Sequence, residues 1–263
     1  ITATSAVDGK CIGKTIILVD DDSLENYPDI IIDKDGGTEE VKVDLTNYRN
    51  IFAGIISQSE QSIVGVKKYT YQRTFYGTQQ LSTDFGSGVV YRRDAVFNDG
   101  STQQNIEDAS EDENFKIYRY YVITSRTVVT DSVEYLERDP KTGGLIAKHK
   151  YNIAEEIKVY LGPDSDEKVA TVMEYDDKMD LAVVVFETTD YLPIAKIGDD
   201  NVDRGEFIIS IGNGYGEDYF RTATFGVVSY DRRYVSTDTD DDGVSDWDSE
   251  YIQHDSSINS QCT

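Results

Sequence analysis

Apolar and polar positions in this chain follow a period of two far more often than a period of 3.6. By that pattern residues 62–71, 86–93, 115–124, 156–161, 168–175 and 181–187 read as strands, and so do 207–212, 223–230 and 250–253. Acidic and glycine-rich connectors separate them. Many short strands between polar turns predict an all-β sandwich or barrel. Residues 94–114 are the longest polar connector and read as a mobile surface insertion. Residues 1–61 read as an N-terminal extension. It has short apolar runs at 16–19 and 30–32, an alternating stretch at 41–45, a turn at Gly36-Gly37 and a short helix over 50–61. No repeat of 20–50 residues is visible.

Composition narrows the picture. Nineteen tyrosines and only four prolines favour strands, and 263 residues are enough to bury a core without disulfides or metals. Fifty acidic residues against 25 basic ones give a net charge of −25. Such a surface repels phosphate backbones and anionic lipid, which excludes nucleic acid as a partner and leaves cations and peptides or proteins. No run of 18 apolar residues exists, so no membrane insertion is expected. The chain starts at Ile1 rather than Met and reads as a mature or trimmed form. Cys11 and Cys262 stand near opposite ends; one disulfide and two free thiols both remain open.

Several segments then fall in a telling order. They are Phe85-Gly86-Ser87-Gly88-Val89-Val90, Thr124-Ser125-Arg126-Thr127-Val128-Val129, Asp180-Leu181-Ala182-Val183 and Gly205-Glu206 followed by Ile211-Gly212-Asn213. Thr224-Phe225-Gly226-Val227-Val228-Ser229 and Ile252-Gln253-His254-Asp255-Ser256-Ser257-Ile258-Asn259 follow. The series resembles the HtrA (DegP-like) branch of the trypsin-like serine proteases over roughly residues 62–263. The resemblance implies an all-β fold of two six-stranded β-barrels with the active site in the cleft between them. Residues 62–195 would form the first barrel and 196–263 a second one, incomplete in this chain. Gly86 and Gly88 suit close strand approach, and Gly212 and Gly214 suit unusual backbone angles at a turn.

The family's chemistry needs a nucleophilic hydroxyl, an imidazole base and an orienting carboxylate. By the resemblance, Asp180 is the retained triad aspartate, and the histidine's place is taken by Thr127, which has no pKa near neutrality. Thr263 falls at the serine's place and Gln261 at an oxyanion-hole glycine's. The fold's last two strands are missing, so the parent chain is expected either to continue past Thr263 or to have been cut there. The two histidines are His149, in what reads as a charged loop, and His254, on the strand before the nucleophile loop. His254 sits on the wrong wall of the cleft to serve as base, and Cys262 lacks an activating partner.

One local motif stands apart. In the acidic loop at 236–250, Asp238, Asp240, Asp242 and Asp246 alternate around Gly243, with the Val244 carbonyl able to face an ion. This looks like a short calcium loop. Asp248 or Glu250 would supply the last oxygen, because Ser249 stands where an EF-hand places its bidentate glutamate. Ca2+ is the expected cofactor, since hard oxygen ligands argue against zinc or copper. The functional expectation is a secreted or cell-surface pseudoprotease that binds peptides or proteins. The alternatives are an active or self-processing endopeptidase with an unconventional or chain-completed site, and a calcium-stabilised structural module.

Overall fold

The computed structural model describes residues 2–4, 12–14, 30–34, 37–41, 45–139, 142–198, 202–213, 216–239 and 243–258. Two compact units emerge, Ile1–Ile51 and Phe52–Thr263. In the first, β1 (Thr2–Thr4) pairs antiparallel with β2 (Ile12–Lys14), and β3 (Ile30–Lys34) pairs with β4 (Gly37–Val41). Helix α1 (Leu45–Ser59) follows, starting earlier than the sequence suggests. The expected apolar run at 16–19 and Gly36 lie outside the described residues.

The second unit is built on strands. They are β5 (Ile63–Thr74), β6 (Gly77–Phe97), β7 (Thr102–Gln104), β8 (Phe115–Ser125), β9 (Thr130–Arg138), β10 (Leu145–Ile153), β11 (Glu156–Tyr160), β12 (Lys168–Asp176) and β13 (Leu181–Thr188). Helix α2 (Arg126–Val129) lies between β8 and β9. Antiparallel pairings run β5-β11-β12-β13-β8-β6 and return from β6 to β5, so six strands form a ring, with β7 added on β6. After the ring, β14 (Phe207–Gly212), β15 (Thr222–Thr237) and β16 (Trp247–His254) form a three-stranded antiparallel sheet. The architecture is all-β, of the trypsin-like kind that the sequence predicts.

Alternation explains the core. Along β8, Tyr118, Tyr120, Val122 and Thr124 turn inward while their neighbours are half-exposed. Val64 and Val66 of β5, Val159 of β11, and Val184 and Phe186 of β13 meet them with side chains essentially out of solvent. Each such side chain contributes about 1.5–3 kcal/mol of burial. The buried Tyr120 phenol is satisfied: it donates to the Asp190 carbonyl at 2.9 Å and accepts the Leu192 amide at 2.8 Å. Burial pushes that phenol's pKa well above its ordinary value. At Gly88 an added Cβ would sit 2.4 Å from Val122 Cγ1, so only glycine lets β6 lie this close to β8's side chains.

Three expectations are corrected. Residues 94–114 are not a loose insertion. They include the end of β6, all of β7 and the buried Ala109. Asp99, Asp108 and Asp112 each accept the amide two residues on, at 2.8–2.9 Å, which folds the connector without apolar periodicity. His149 is not in a loop: it lies within β10, paired with Glu134 of β9. The sequence does not mark that hairpin, because both of its faces are largely exposed and show no alternation. Gly212 has no left-handed backbone; its need is closeness, since a Cβ there would be 2.8 Å from Ser87 Oγ. Gly214 lies outside the described residues.

Candidate functional site

The register of β8 against β13 creates the site. Leu181 pairs with Ser125, so Asp180 arrives beside the start of α2. The turn before it is fixed by the Asp176 carboxylate, which accepts the Lys178 and Met179 amides at 2.8 Å each. Asp180 itself has φ +52°, a left-handed conformation that costs a non-glycine residue about 1 kcal/mol. Its carbonyl accepts the Arg126 amide at 3.0 Å, which helps to hold that geometry.

The Asp180 carboxylate is engaged at both oxygens. Oδ2 accepts Ser125 Oγ–H at 2.5 Å, with Thr127 Oγ1 3.5 Å away; Oδ1 accepts the Thr127 amide at 3.1 Å and Arg126 Nε–H at 3.2 Å. The two hydroxyls also bond each other at 2.6 Å. Arg126 is buried, and its guanidinium carbon lies 3.5 Å from the centroid of the Tyr151 ring. The buried Arg126 Nη1 has no hydrogen-bond partner among the described residues. This packing presses the positive charge toward the carboxylate. The set can orient and neutralise a carboxylate. It contains no group that both takes and returns a proton at neutral pH.

Neither histidine bonds to Asp180. His149 Nδ1 meets Ser132 Oγ at 2.7 Å across the β9–β10 hairpin. His254, at the end of β16, meets Ser256 Oγ at 2.9 Å through Nδ1, and Ser256 Oγ meets Ser210 Oγ at 2.6 Å. This short polar chain is buried at Ser256, which is 6% exposed. Thr263, Gln261, Cys262 and Cys11 lie outside the described residues.

Polar contacts tie the two sheets together. Asn213 is fully buried: its Nδ2 donates to the Val64 carbonyl at 2.9 Å, its Oδ1 accepts the Arg221 amide at 2.8 Å, and its own amide donates to Ser87 Oγ at 2.8 Å. Lys67 of the ring binds Glu167 at 2.5 Å and Glu217 at 2.6 Å. Burial alone would raise the Glu167 pKa, but bonds from Lys67, Tyr69 and Lys158 outweigh it and hold the carboxyl down at about 2. Lys178, in the turn before Asp180, lies 4.4 Å from the centroid of the Trp247 ring at the start of β16.

In the acidic loop, the described carboxylates are turned onto the loop itself. Asp238 accepts the Gly243 amide at 2.6 Å, and Gly243 takes the left-handed φ +86° that the turn requires. Asp246 accepts the Thr239 amide at 3.0 Å and its hydroxyl at 2.9 Å, which lowers its pKa. Glu250 sits within β16 opposite Tyr234, and the Val244 backbone belongs to the same turn as Gly243. Asp240 and Asp242 lie outside the described residues. Among the described residues no three acidic, histidine or cysteine side chains gather as a metal site.

Of the residues that the sequence singles out, the structure brings Asp180 and Thr127 together; Ser125, Tyr151 and Lys178, which it adds around them, are not singled out by the sequence. Ser125 stands two positions before Thr127 and Lys178 two before Asp180, but neither is marked by a motif of its own; Tyr151 comes from a distant part of the chain and no local signal marks it.

Comparison with known proteins follows the same lines. Residues 86–261 match a family model described as "Trypsin-like peptidase domain". A "Probable periplasmic serine endoprotease DegP-like" of Rickettsia prowazekii (strain Madrid E) is 35% identical over 119 residues, covering 44% of this chain and 22% of that protein. A protein of the same name from a Marinomonas species is 38% identical over 95 residues, covering 36% and 19%. "Serine protease HTRA3" of Mus musculus is 33% identical over 106 residues, covering 40% and 22%. The matched part is thus about a fifth of the length of each of these relatives.

Proposed function

The chain belongs to the trypsin-like peptidase domain family, and on that premise we propose that it acts outside the cytoplasm as a pseudoprotease, holding peptide or protein segments without cutting them. The observation that carries the proposal is the closed set around Asp180. The carboxylate that would orient an imidazole is shared by Ser125, Thr127 and Arg126. Without a base, the hydroxyl of a serine or threonine stays protonated and attacks poorly. The names of the DegP-like relatives support the extracytoplasmic setting, and the −25 charge suits basic or neutral segments as ligands. No helix among the described residues is long and apolar enough to cross a membrane.

The second reading is an unconventional endopeptidase. It draws on the Ser256–His254 contact at 2.9 Å, a hydroxyl beside an imidazole. Against it stand the burial of Ser256 and the absence of any carboxylate bonded to His254 among the described residues. A fluorophosphonate probe separates the two readings. The pseudoprotease leaves it unreacted while retaining peptide ligands in a fluorescence-anisotropy titration. Labelling that Ser256→Ala removes would establish the second.

Calcium at residues 236–250 is part of the proposal as a stiffening ion. Its support is the alternation of Asp238, Asp240, Asp242 and Asp246 in sequence and the turn that the Asp238–Gly243 bond closes. Melting with calcium and then with a chelator tests it: a rise of several degrees is expected, and an unchanged melting temperature rejects the ion.

A further inference from the structure

The β9–β10 hairpin is a two-stranded sheet on its own, paired at nine positions from Thr130↔Ile153 to Arg138↔Leu145. A ribbon of two strands is marginal in water, and among the described residues both of its outer edges are unpaired. It exposes Leu136 and Leu145 at 63% each, on one face of the ribbon, and Tyr135 at 40% on the other. Its charge is also unlike that of the rest of the molecule. Residues 130–153 carry four acidic and four basic side chains, whereas the whole chain carries 50 against 25. Here a second copy meets no net charge.

We propose that the free edge of β9 pairs with the β9 edge of a second copy, joining two ribbons into one four-stranded antiparallel sheet. Antiparallel pairing of identical strands places a twofold axis perpendicular to the sheet, so residues equally far from a central residue oppose one another. With Leu136 central, Leu136 meets the partner's Leu136, and Glu134 meets the partner's Arg138 twice, all on the face that carries Leu145. No other centre opposes unlike charges. Glu134 or Glu137 at the centre sets a carboxylate against itself, and Tyr135 at the centre opposes Asp131 to the partner's Asp139. The β10 edge is poorer: centring on Lys148, His149 or Lys150 opposes lysine to lysine. The pairing removes one open edge from each copy and covers Leu136. It stands whether or not the site beside Asp180 cuts peptides.

Sedimentation velocity of the full chain from about 1 μM to about 300 μM tests this. A reversible monomer–dimer equilibrium is expected. Arg138→Glu weakens it at least tenfold, and the double variant Glu134→Arg/Arg138→Glu restores it, because the opposed charges are unlike again. Arg138 also donates to the Gly143 carbonyl in the hairpin turn, at 2.8 Å. Leu136→Lys, which leaves that turn alone, is therefore measured beside it and yields monomer with an unchanged far-UV circular dichroism spectrum. A wild-type chain that stays monomeric throughout overturns the proposal. So does a dimer that Arg138→Glu or Leu136→Lys leaves intact, or that the charge swap fails to restore.

Discussion

Asp180 combines a left-handed backbone with hydrogen bonds at both carboxylate oxygens. Its carboxylate ties down the start of α2. Arg126 supplies the buried half of the pair and stacks on Tyr151. Replacing Arg126 by Ala removes the charge, the stacking and the side-chain packing together. Because the Asp180 side chain is 41% exposed, solvent takes over part of its charge. The expected loss is about 2 kcal/mol, read from urea unfolding. Thr127→Ala removes only a 3.5 Å hydroxyl contact to the carboxylate and one hydroxyl–hydroxyl bond; it is expected to cost under about 1 kcal/mol. Equal losses for the two variants would show that the arginine is not the anchor.

Strands and their glycines carry the next scale. Gly88→Ala drives a Cβ to 2.4 Å from Val122 Cγ1 and 3.1 Å from Val66 Cγ2. Such overpacking costs about 2–3 kcal/mol. Gly198→Ala meets nothing within 4 Å among the described residues and is expected to change stability by less than about 0.5 kcal/mol. Thermal melts of the two variants test the contrast. The same scale shows what the sequence makes legible. Strands with one buried face, such as β8 and β13, announce themselves by alternation, and the order of family motifs points to Asp180 and Thr127. Hairpin β9–β10 does not announce itself: both faces are wet, so nothing selects for a period of two. Tyr151, which stacks on Arg126, is hidden for that reason. Residues 94–114 are held by aspartate side chains bonding to nearby amides and by the phenol of Tyr118, contacts that leave no periodic trace.

At the scale of the whole molecule, polar contacts join the ring to the β14–β16 sheet. Asn213 and the Lys67–Glu167–Glu217 cluster bridge them on one side, and Lys178 on Trp247 does so near Asp180. Glu167 titrates at about 2 in the folded protein against an ordinary 4.5. Its ion pairs therefore contribute fully above pH 4.5 and are lost as pH falls from there toward 2. The contribution is on the order of 2–3 kcal/mol. Glu167→Gln is expected to lower stability at neutral pH and to flatten the acid limb between these values. Because Trp247 is the chain's one tryptophan, its fluorescence follows the loosening of the contact with Lys178 directly.

The most direct test of the central claim is peptide-bond hydrolysis itself. The full chain is incubated with an unfolded protein substrate across neutral and mildly alkaline pH, and new peptide termini are counted by mass spectrometry beside an Asp180→Ala control. No new termini above the control are expected, because among the described residues no group beside Asp180 can ferry a proton. Sustained cleavage that Asp180→Ala abolishes would contradict the account.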